Sequence, residues 1–432
     1  GLCRKSSSSR MMVFIEERAY QRMVNDKFNI LDKIRELTYD GRSTDLTLSI
    51  GVGHESDMAE SNNSAKQALD MAQSRGGDQV AIKEGTQYKF FGGVSSGHEK
   101  KNKVRTRLLS KTISEIISDS DNVLIMGHRF SDFDAFGSAV GMHCIAEHFG
   151  KTANIVVNTK NTVAVPLISA FIQEKGEGIV ISPDDAPSKV GGNTLLIVVD
   201  THKQDFTDCP ELIDRAGKVM VIDHHRKSVD YIEDTVMFYH MPNSSSASEM
   251  IAEIAQYVDT KPVLDKFAAL ALFTGIVLDT RNFILRAGVR TFEAAAYLRS
   301  RGAGTVDCKK LFSNDMDIFR ARNAIIDGAE TYRDCAISVA GEKFENIRLV
   351  TSQAADEMLN IEGVKATFVL YENAGGINIS ARSYGEVNVQ LIMEGLGGGG
   401  HQTMSACQIA DTDANEALRL LKEEIDKYFS NL

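Results

Sequence analysis

At 432 residues the chain is long enough for two to four domains, each with a core of its own. Its 43% hydrophobic and 25% charged residues are ordinary for a globular protein, and no apolar run approaches the ~18 residues that a membrane span needs. A net charge of −11 argues against long nucleic acid as a partner, because that binding draws on many Lys and Arg contacts to phosphate. A small anion held by a few local charges is compatible with it.

The six cysteines (Cys3, Cys144, Cys209, Cys308, Cys335 and Cys407) are far apart, with no CxxC pair. That spacing reads as a reducing cytosol and not as a disulfide framework or a zinc ribbon. The chain opens on Gly1 with no signal peptide, which reads as a piece of a longer protein.

Residues 1–88 read as an αβ fragment. DKFNILDKIREL (26–37) and NSAKQALDMAQSR (63–75) carry helical periodicity, while TLSIGVG (47–53) and QVAIK (79–83) read as strands. Residues 89–110 turn polar, basic and Gly/Ser-rich, as a linker does. Across 111–305 apolar runs alternate with helical stretches such as SASEMIAEIAQYV (246–258). VLIM, LLIVV (195–199), VMVI (219–222) and LFTGIV (272–277) are continuous, as in a parallel sheet covered on both faces. The expected fold is a doubly wound α/β domain. Residues 306–330 read as a helical connector, and 331–432 as a smaller α/β domain. There ATFVLYE (366–372) and GINISAR (376–382) flank a turn, a helix covers 387–396, and an amphipathic helix covers 414–429.

The four apolar runs share one property: each ends in acidic or imidazole residues. After VLIM come His128, Asp132 and Asp134; after LLIVV comes Asp200; after VMVI come Asp223, His224 and His225; after LFTGIVL comes Asp279. Open parallel sheets bind ligands beyond the carboxyl ends of their strands, so the four ends can share one crevice. Four aspartates so close could not all stay ionised without cations. Two divalent ions would neutralise them. Oxygen and imidazole ligands without thiolate suit Mn²⁺, Fe²⁺, Co²⁺ or Zn²⁺, and two such ions ~3.5–4 Å apart can activate a water against phosphorus. Singly, each Asp reads equally as a turn or cap residue; the joint pattern favours metal. His143 and His148 read as packing or surface residues, and His54, His98 and His240 as incidental.

Gly397-Gly398-Gly399-Gly400-His401 has two readings: a flexible hinge, or a backbone nest whose N–H groups cradle an anion. Arg382, in SARS, reads as a second anion contact or as an exposed strand arginine.

GHRFSDFDAFGSA, VVDTH, IDHH, LDT and GGGGH, in that order over about residues 115–410, resemble the DHH phosphoesterase family with its DHH-associated C-terminal domain. SIGVG followed by ALDMAQSRGGDQVAIK resembles the closing half of a GGDEF domain, and GGDEF joined to DHH is the layout of that family's cyclic-di-AMP phosphodiesterases. The resemblance implies Mn²⁺, with His128, Asp132 and Asp200 on one ion and Asp134, Asp200, His224 and Asp279 on the other, Asp200 bridging. It implies hydrolysis of a cyclic dinucleotide to 5′-pApA, with Asp200, His224 and His225 at the reacting phosphate and Arg382 with Gly397, Gly398, Gly399, Gly400 and His401 gripping the nucleotide. Ser131 stands where proline is common, and DTHKQ where Arg-Pro often follows; neither removes a ligand. Ser6–Arg10 stands where the acidic GGDEF loop belongs, which argues against cyclase activity. Relatives of this type carry membrane helices and a sensor domain upstream, so tethering belongs to a parent protein and this chain has no membrane contact of its own. A homodimer is compatible with the pattern. Rival readings are a nanoRNA nuclease or 3′-phosphoadenosine phosphatase of the same family, and a non-catalytic nucleotide sensor. The GGDEF remnant and the complete ligand set weigh against them.

Overall fold

The structure, a computed structural model, describes residues 2–5, 10–35, 37–39, 42–43, 46–74, 77–85, 87–92, 103–228, 230–313, 316–341, 347–373 and 375–430. The chain divides into two compact units, Gly1–Leu311 and Phe312–Leu432.

The first unit holds a six-stranded sheet whose strands we number from its start: β1 (Asn122–Met126), β2 (Thr152–Val156), β3 (Val180–Ile181), β4 (Thr194–Val199), β5 (Lys218–Asp223) and β6 (Met237–His240). The order is β3-β2-β1-β4-β5-β6 and every pair is parallel. β4 is buried along its whole length, which explains why its sequence is a continuous apolar run. The order reverses between β1 and β4, where two connections leave in opposite directions and open a crevice at the strands' carboxyl ends.

Three helices matter to that crevice: α1 (Phe133–His148), α2 (Ala247–Ala255) and α3 (Lys266–Asp279). The last corrects the sequence reading, since LFTGIV lies in a 14-residue helix and not in a strand. Asp265 caps that helix by accepting the Ala268 N–H at 2.8 Å, and its Ala- and Leu-rich run suits a helix. A segment buried on nearly every side loses the periodicity that separates helix from strand. Small residues let the helices approach closely. A Cβ on Gly137 would lie 2.5 Å from the Ala271 carbonyl oxygen, and one on Gly275 would lie 2.8 Å from Asp134 Oδ1.

The N-terminal part of this unit has a three-stranded sheet, Ile50–Gly53 parallel to Gln79–Glu84, which is antiparallel to Gln87–Gly92. Helix Met58–Ser74 packs so tightly on the first strand that a Cβ at Gly51 or Gly53 would overlap backbone atoms of that helix. The helix expected over 26–37 is shorter, Ile30–Arg35, and is parted from a preceding helix, Glu17–Asn25, where Lys27 and Phe28 take positive φ. The stretch read as a linker contains the end of strand Gln87–Gly92 and the start of helix Lys103–Ser118; its residues 93–102, like Ser6–Ser9, lie outside the described residues.

The second unit carries β7 (Glu330–Tyr332), β8 (Cys335–Val339), β9 (Ala366–Asn373), β10 (Gly376–Ser383), β11 (Gly399–His401) and β12 (Met404–Ala410) in the order β7-β8-β9-β10-β12-β11. Only β8 and β9 run parallel. Phe368, Leu370, Ile379, Leu421 and Ile425 lie in the core beneath it, the last two from the closing helix Ala414–Ser430. No helix among the described residues is long and apolar enough to cross a membrane.

Candidate metal centre

β1 ends at Met126; Gly127 follows, then His128, buried beside the sheet. Asp132 is the N-cap of α1, where its Oδ1 accepts the N–H groups of Asp134 (2.8 Å) and Ala135 (3.0 Å). Its other oxygen is left facing His128 Nε2 at 3.9 Å. Asp134, in the first turn of α1, is fully buried and accepts the N–H groups of Ala247 and Ser248, both at 2.8 Å, at the start of α2. Those two bonds aim the carboxylate and hold it at the positive end of a helix.

Asp200 closes β4 with φ of 59°, a left-handed conformation that a side chain rarely adopts. Such strain persists where surrounding structure over-determines it, here through the Asp200 N–H donated to the Ile222 carbonyl at 2.9 Å. The turn sets Asp200 Oδ2 3.5 Å from His128 Nε2 and Oδ1 3.2 Å from His224 Nε2. Asp279, the last residue of α3, reaches the same imidazole nitrogen at 3.2 Å, and Asp134 lies 3.8 Å from it. Asp279 therefore arrives at the crevice from a helix end and not from a fourth strand.

Two groups result whose donor atoms lie within 4.8 Å of one another, one of His128, Asp132 and Asp200 and the other of Asp134, His224 and Asp279. Asp200 also clusters with His224 and His225, so it lies against both. Asp200 Oδ1 and His224 Nε2 are buried without a hydrogen-bond partner, as is His128 Nδ1. A buried polar atom left unpaired costs ~1–3 kcal/mol, and these two face each other across a carboxylate-rich space. The donor set, carboxylate oxygen plus imidazole nitrogen with no thiol, fits divalent cations of the first transition row.

The electrostatics agree with that fit. Burial lifts the Asp132 carboxyl to about 6, with the neighbouring charges of Asp200 and Asp279 adding to it, and lifts Asp134 well above the carboxylate range for the same reasons. Burial opposes charge on His128, yet Asp200 and Asp132 outweigh it and raise the imidazole to about 9. Asp200 is held below the ordinary range because His128 and His224 overcome its burial.

Reading the sequence missed a supporting layer. Asp223, the buried end of β5, accepts from the His225 backbone N–H (3.1 Å) and pairs with His225 Nδ1 (2.9 Å), while its second oxygen pairs with His202 Nδ1. His240, read from sequence as incidental, clusters with His202 and Asp223 and meets the His225 carbonyl. The motifs DTH and DHH contained His202 and Asp223 in plain view. Their link is a distance through space, and His240 had no sequence neighbour to mark it. His143 is buried against Phe171, and His148 pairs with Asp259 at 2.7 Å, so both pack away from the site.

The second unit departs from expectation in two ways. Arg382 is buried and not exposed: its guanidinium donates to Ser380 Oγ (3.1 Å), the Ala381 carbonyl (2.9 Å) and Ser352 Oγ, and pairs with Asp356 at 3.2 Å. The glycine run is built into regular structure. Gly397 and Gly398 cap helix Val389–Gly395 through Glu394 O (3.0 Å) and Met393 O (2.8 Å), and Gly399–His401 forms β11. The side chain of His401 lies outside the described parts of the chain.

Comparison with known proteins bears on the whole chain. Residues 122–276 match the DHH family, N-terminal domain; residues 336–431 match the DHHA1 domain; residues 1–90 match the cyclic-di-AMP phosphodiesterase GdpP-like, GGDEF domain. The chain belongs to the DHH family. It is 41% identical to the cyclic-di-AMP phosphodiesterase PdeA of Listeria monocytogenes over 99% of its own length and 66% of the relative's. Identity to the cyclic-di-AMP phosphodiesterase GdpP of Bacillus subtilis is 39% with the same coverage. The chain thus spans 66% of the length of these relatives. The bifunctional oligoribonuclease and PAP phosphatase NrnA of Bacillus subtilis is more distant, at 26% identity over 71% of this chain and 95% of NrnA. Among solved structures, an exopolyphosphatase-related protein from Bacteroides fragilis superposes with a TM-score of 0.63 at 20% identity, over 74% of this chain and 96% of that one, which shows the shared fold.

Proposed function

We propose that this DHH-family chain is a metal-dependent phosphodiesterase that hydrolyses cyclic di-AMP to linear 5′-pApA. The observation that carries the reading is Asp200: a strained, buried carboxylate lying against two ligand groups at the point where the strand order reverses. The names of relatives at 41% and 39% identity supply the substrate.

In this reading His128, Asp132 and Asp200 hold one divalent ion, and Asp134, Asp200, His224 and Asp279 hold a second, with Mn²⁺ as the assigned metal. The bound ions supply Lewis-acid polarisation of the phosphoryl oxygens and offset the carboxylate charge. The chain's own residues do the rest. Asp134, fastened to the start of α2, keeps its carboxylate fixed while the ligand groups around it are occupied. His225 is half-exposed, and its bond to Asp223 raises its affinity for a proton over the opposing desolvation on the side packed against the crevice. With Nδ1 engaged by Asp223, Nε2 is the nitrogen that can carry a proton to the oxygen leaving phosphorus. Arg382 and the Gly397–His401 segment are assigned to the nucleotide. For Arg382 a substrate contact requires exchange of its present bonds to Asp356 and Ser352. All six cysteines are free, in keeping with a cytosolic placement.

The test is turnover of cyclic di-AMP, cyclic di-GMP and pApA side by side, with Mn²⁺ and with EDTA. Cleavage of cyclic di-AMP that stops mainly at pApA and ends with EDTA is the expected result. Faster consumption of pApA than of either cyclic substrate would make the chain an oligoribonuclease of the NrnA kind.

A further inference from the structure

Beside the ligand groups lies an aromatic surface that neither of them uses. Phe206 stacks on the His128 imidazole with centroids 5.5 Å apart and planes 16° from parallel. Phe130 meets Phe206 edge-on at 6.0 Å. The guanidinium carbon of Arg129 sits 5.1 Å from the Phe130 ring centre and 5.3 Å from that of Phe206.

The backbone holds this arrangement in place. Arg129 N–H donates to the Phe206 carbonyl at 2.8 Å, Asp208 N–H donates to the Gly127 carbonyl at 3.2 Å, and His128 bridges Thr207 in antiparallel fashion. The segment after β1 is thereby tied to the segment after β4. Phe130 is nevertheless 51% exposed, only two residues from each of the ligand candidates His128 and Asp132. Arg129 is exposed as well, and among the described residues it makes no ion pair. A rigid exposed ring, a second ring behind it and an unpaired cation, at the lip of a phosphate-cleaving crevice, are the parts with which proteins hold single-stranded nucleotides.

We propose that Phe130, backed by Phe206 and Arg129, is a stacking shelf for the nucleobase adjoining the phosphate in the metal crevice. The inference rests on the phosphodiesterase reading and deepens it by placing one base. Arg129 stands where its charge meets the phosphate attached to that base. Stacking tolerates any base because every base has a π face, so the shelf supplies affinity and leaves the choice between adenine and guanine to other contacts.

The experiment uses the full chain loaded with Mn²⁺ and compares AMP with ribose 5-phosphate by calorimetry. Stacking of one base predicts about 5- to 150-fold tighter binding of AMP. Phe130→Ala should remove most of that preference while leaving affinity for ribose 5-phosphate and for Mn²⁺ within about twofold; Phe130→Trp should keep the preference. In turnover of cyclic di-AMP the loss in Phe130→Ala should fall on KM more than on kcat. An AMP preference missing from the parent chain, or one that survives Phe130→Ala, overturns the shelf. If cyclic di-AMP is not cleaved at all, yet the AMP preference depends on Phe130, the shelf stands and the phosphodiesterase reading falls.

Discussion

The tips of the parallel sheet and the Arg382–glycine region are both rich in polar groups, and they are built in opposite ways. Around Asp200 the buried polar atoms face one another and leave His128 Nδ1, Asp200 Oδ1 and His224 Nε2 without hydrogen bonds. Around Arg382 a single guanidinium meets two serines, a carbonyl and one carboxylate, that of Asp356, so its charge is balanced by protein groups. The amides of Gly397 and Gly398 close a helix. The second arrangement pairs one cation with one carboxylate. The first leaves a cost of ~1–3 kcal/mol for each unpaired group, which a bound cation would offset.

The comparison breaks most sharply at Asp200. Asp200→Ala removes the carboxylate lying against both ligand groups, and turnover of cyclic di-AMP in Mn²⁺ should fall by ~10³-fold or more, the loss of several kcal/mol of charge stabilisation. Product formation followed by chromatography checks it, and near-normal turnover would remove the two-metal assignment. Arg382→Ala offers no such parallel, since its neighbours are paired without an ion.

Next in size is the supporting layer. Asp223→Asn keeps the shape but weakens the hold on His202 and His225, and a partner one step behind the ligands is worth ~10–100-fold in activity or metal affinity. Mn²⁺ titration alongside kcat separates the two losses. An unchanged kcat and an unchanged metal affinity would reduce Asp223 to packing.

On the self-satisfied side, Gly398→Ala should cost ~1–3 kcal/mol of stability with no change in Mn²⁺ affinity. A Cβ there would overlap Cys407 Cβ and the Ala406 carbonyl oxygen. Chemical denaturation with and without Mn²⁺ reads both quantities.

The smallest effect is one of pH. Burial lifts the Asp208 carboxyl from 3.8 to about 7, and its Oδ2 lacks a partner. The folded chain therefore binds that proton more tightly than the unfolded one, and stability is lost as pH rises from about 4 through about 7. Asp208→Asn should flatten this dependence and raise stability at pH 8 in EDTA by ~1 kcal/mol. A variant with the parent's slope would show that Asp208 titrates like an exposed carboxyl.

Much of the convergence of these residues is legible in the sequence. Three of the four apolar runs are strands, and the residues after them do converge. The fourth brought Asp279 to the same cluster from a helix and not a strand, because α3 is apolar around nearly its whole circumference and carries no readable period. The burial of Arg382 was not legible, for the converse reason. Its strand is legible, but the Ser352 and Asp356 that meet it come from an earlier helix, Ile347–Met358. His202 and His240 escaped notice because each gains meaning only from the other side of Asp223.

The sequence by itself determined the ligand chemistry: carboxylates and imidazoles set immediately after apolar runs, in an order that local strand and helix rules carry to one end of a sheet. Only the tertiary structure decided which of those groups are left without partners. That property depends on distances between segments far apart in the chain, such as Asp134 on the start of α2 and Phe206 on His128, and no local window of residues contains them.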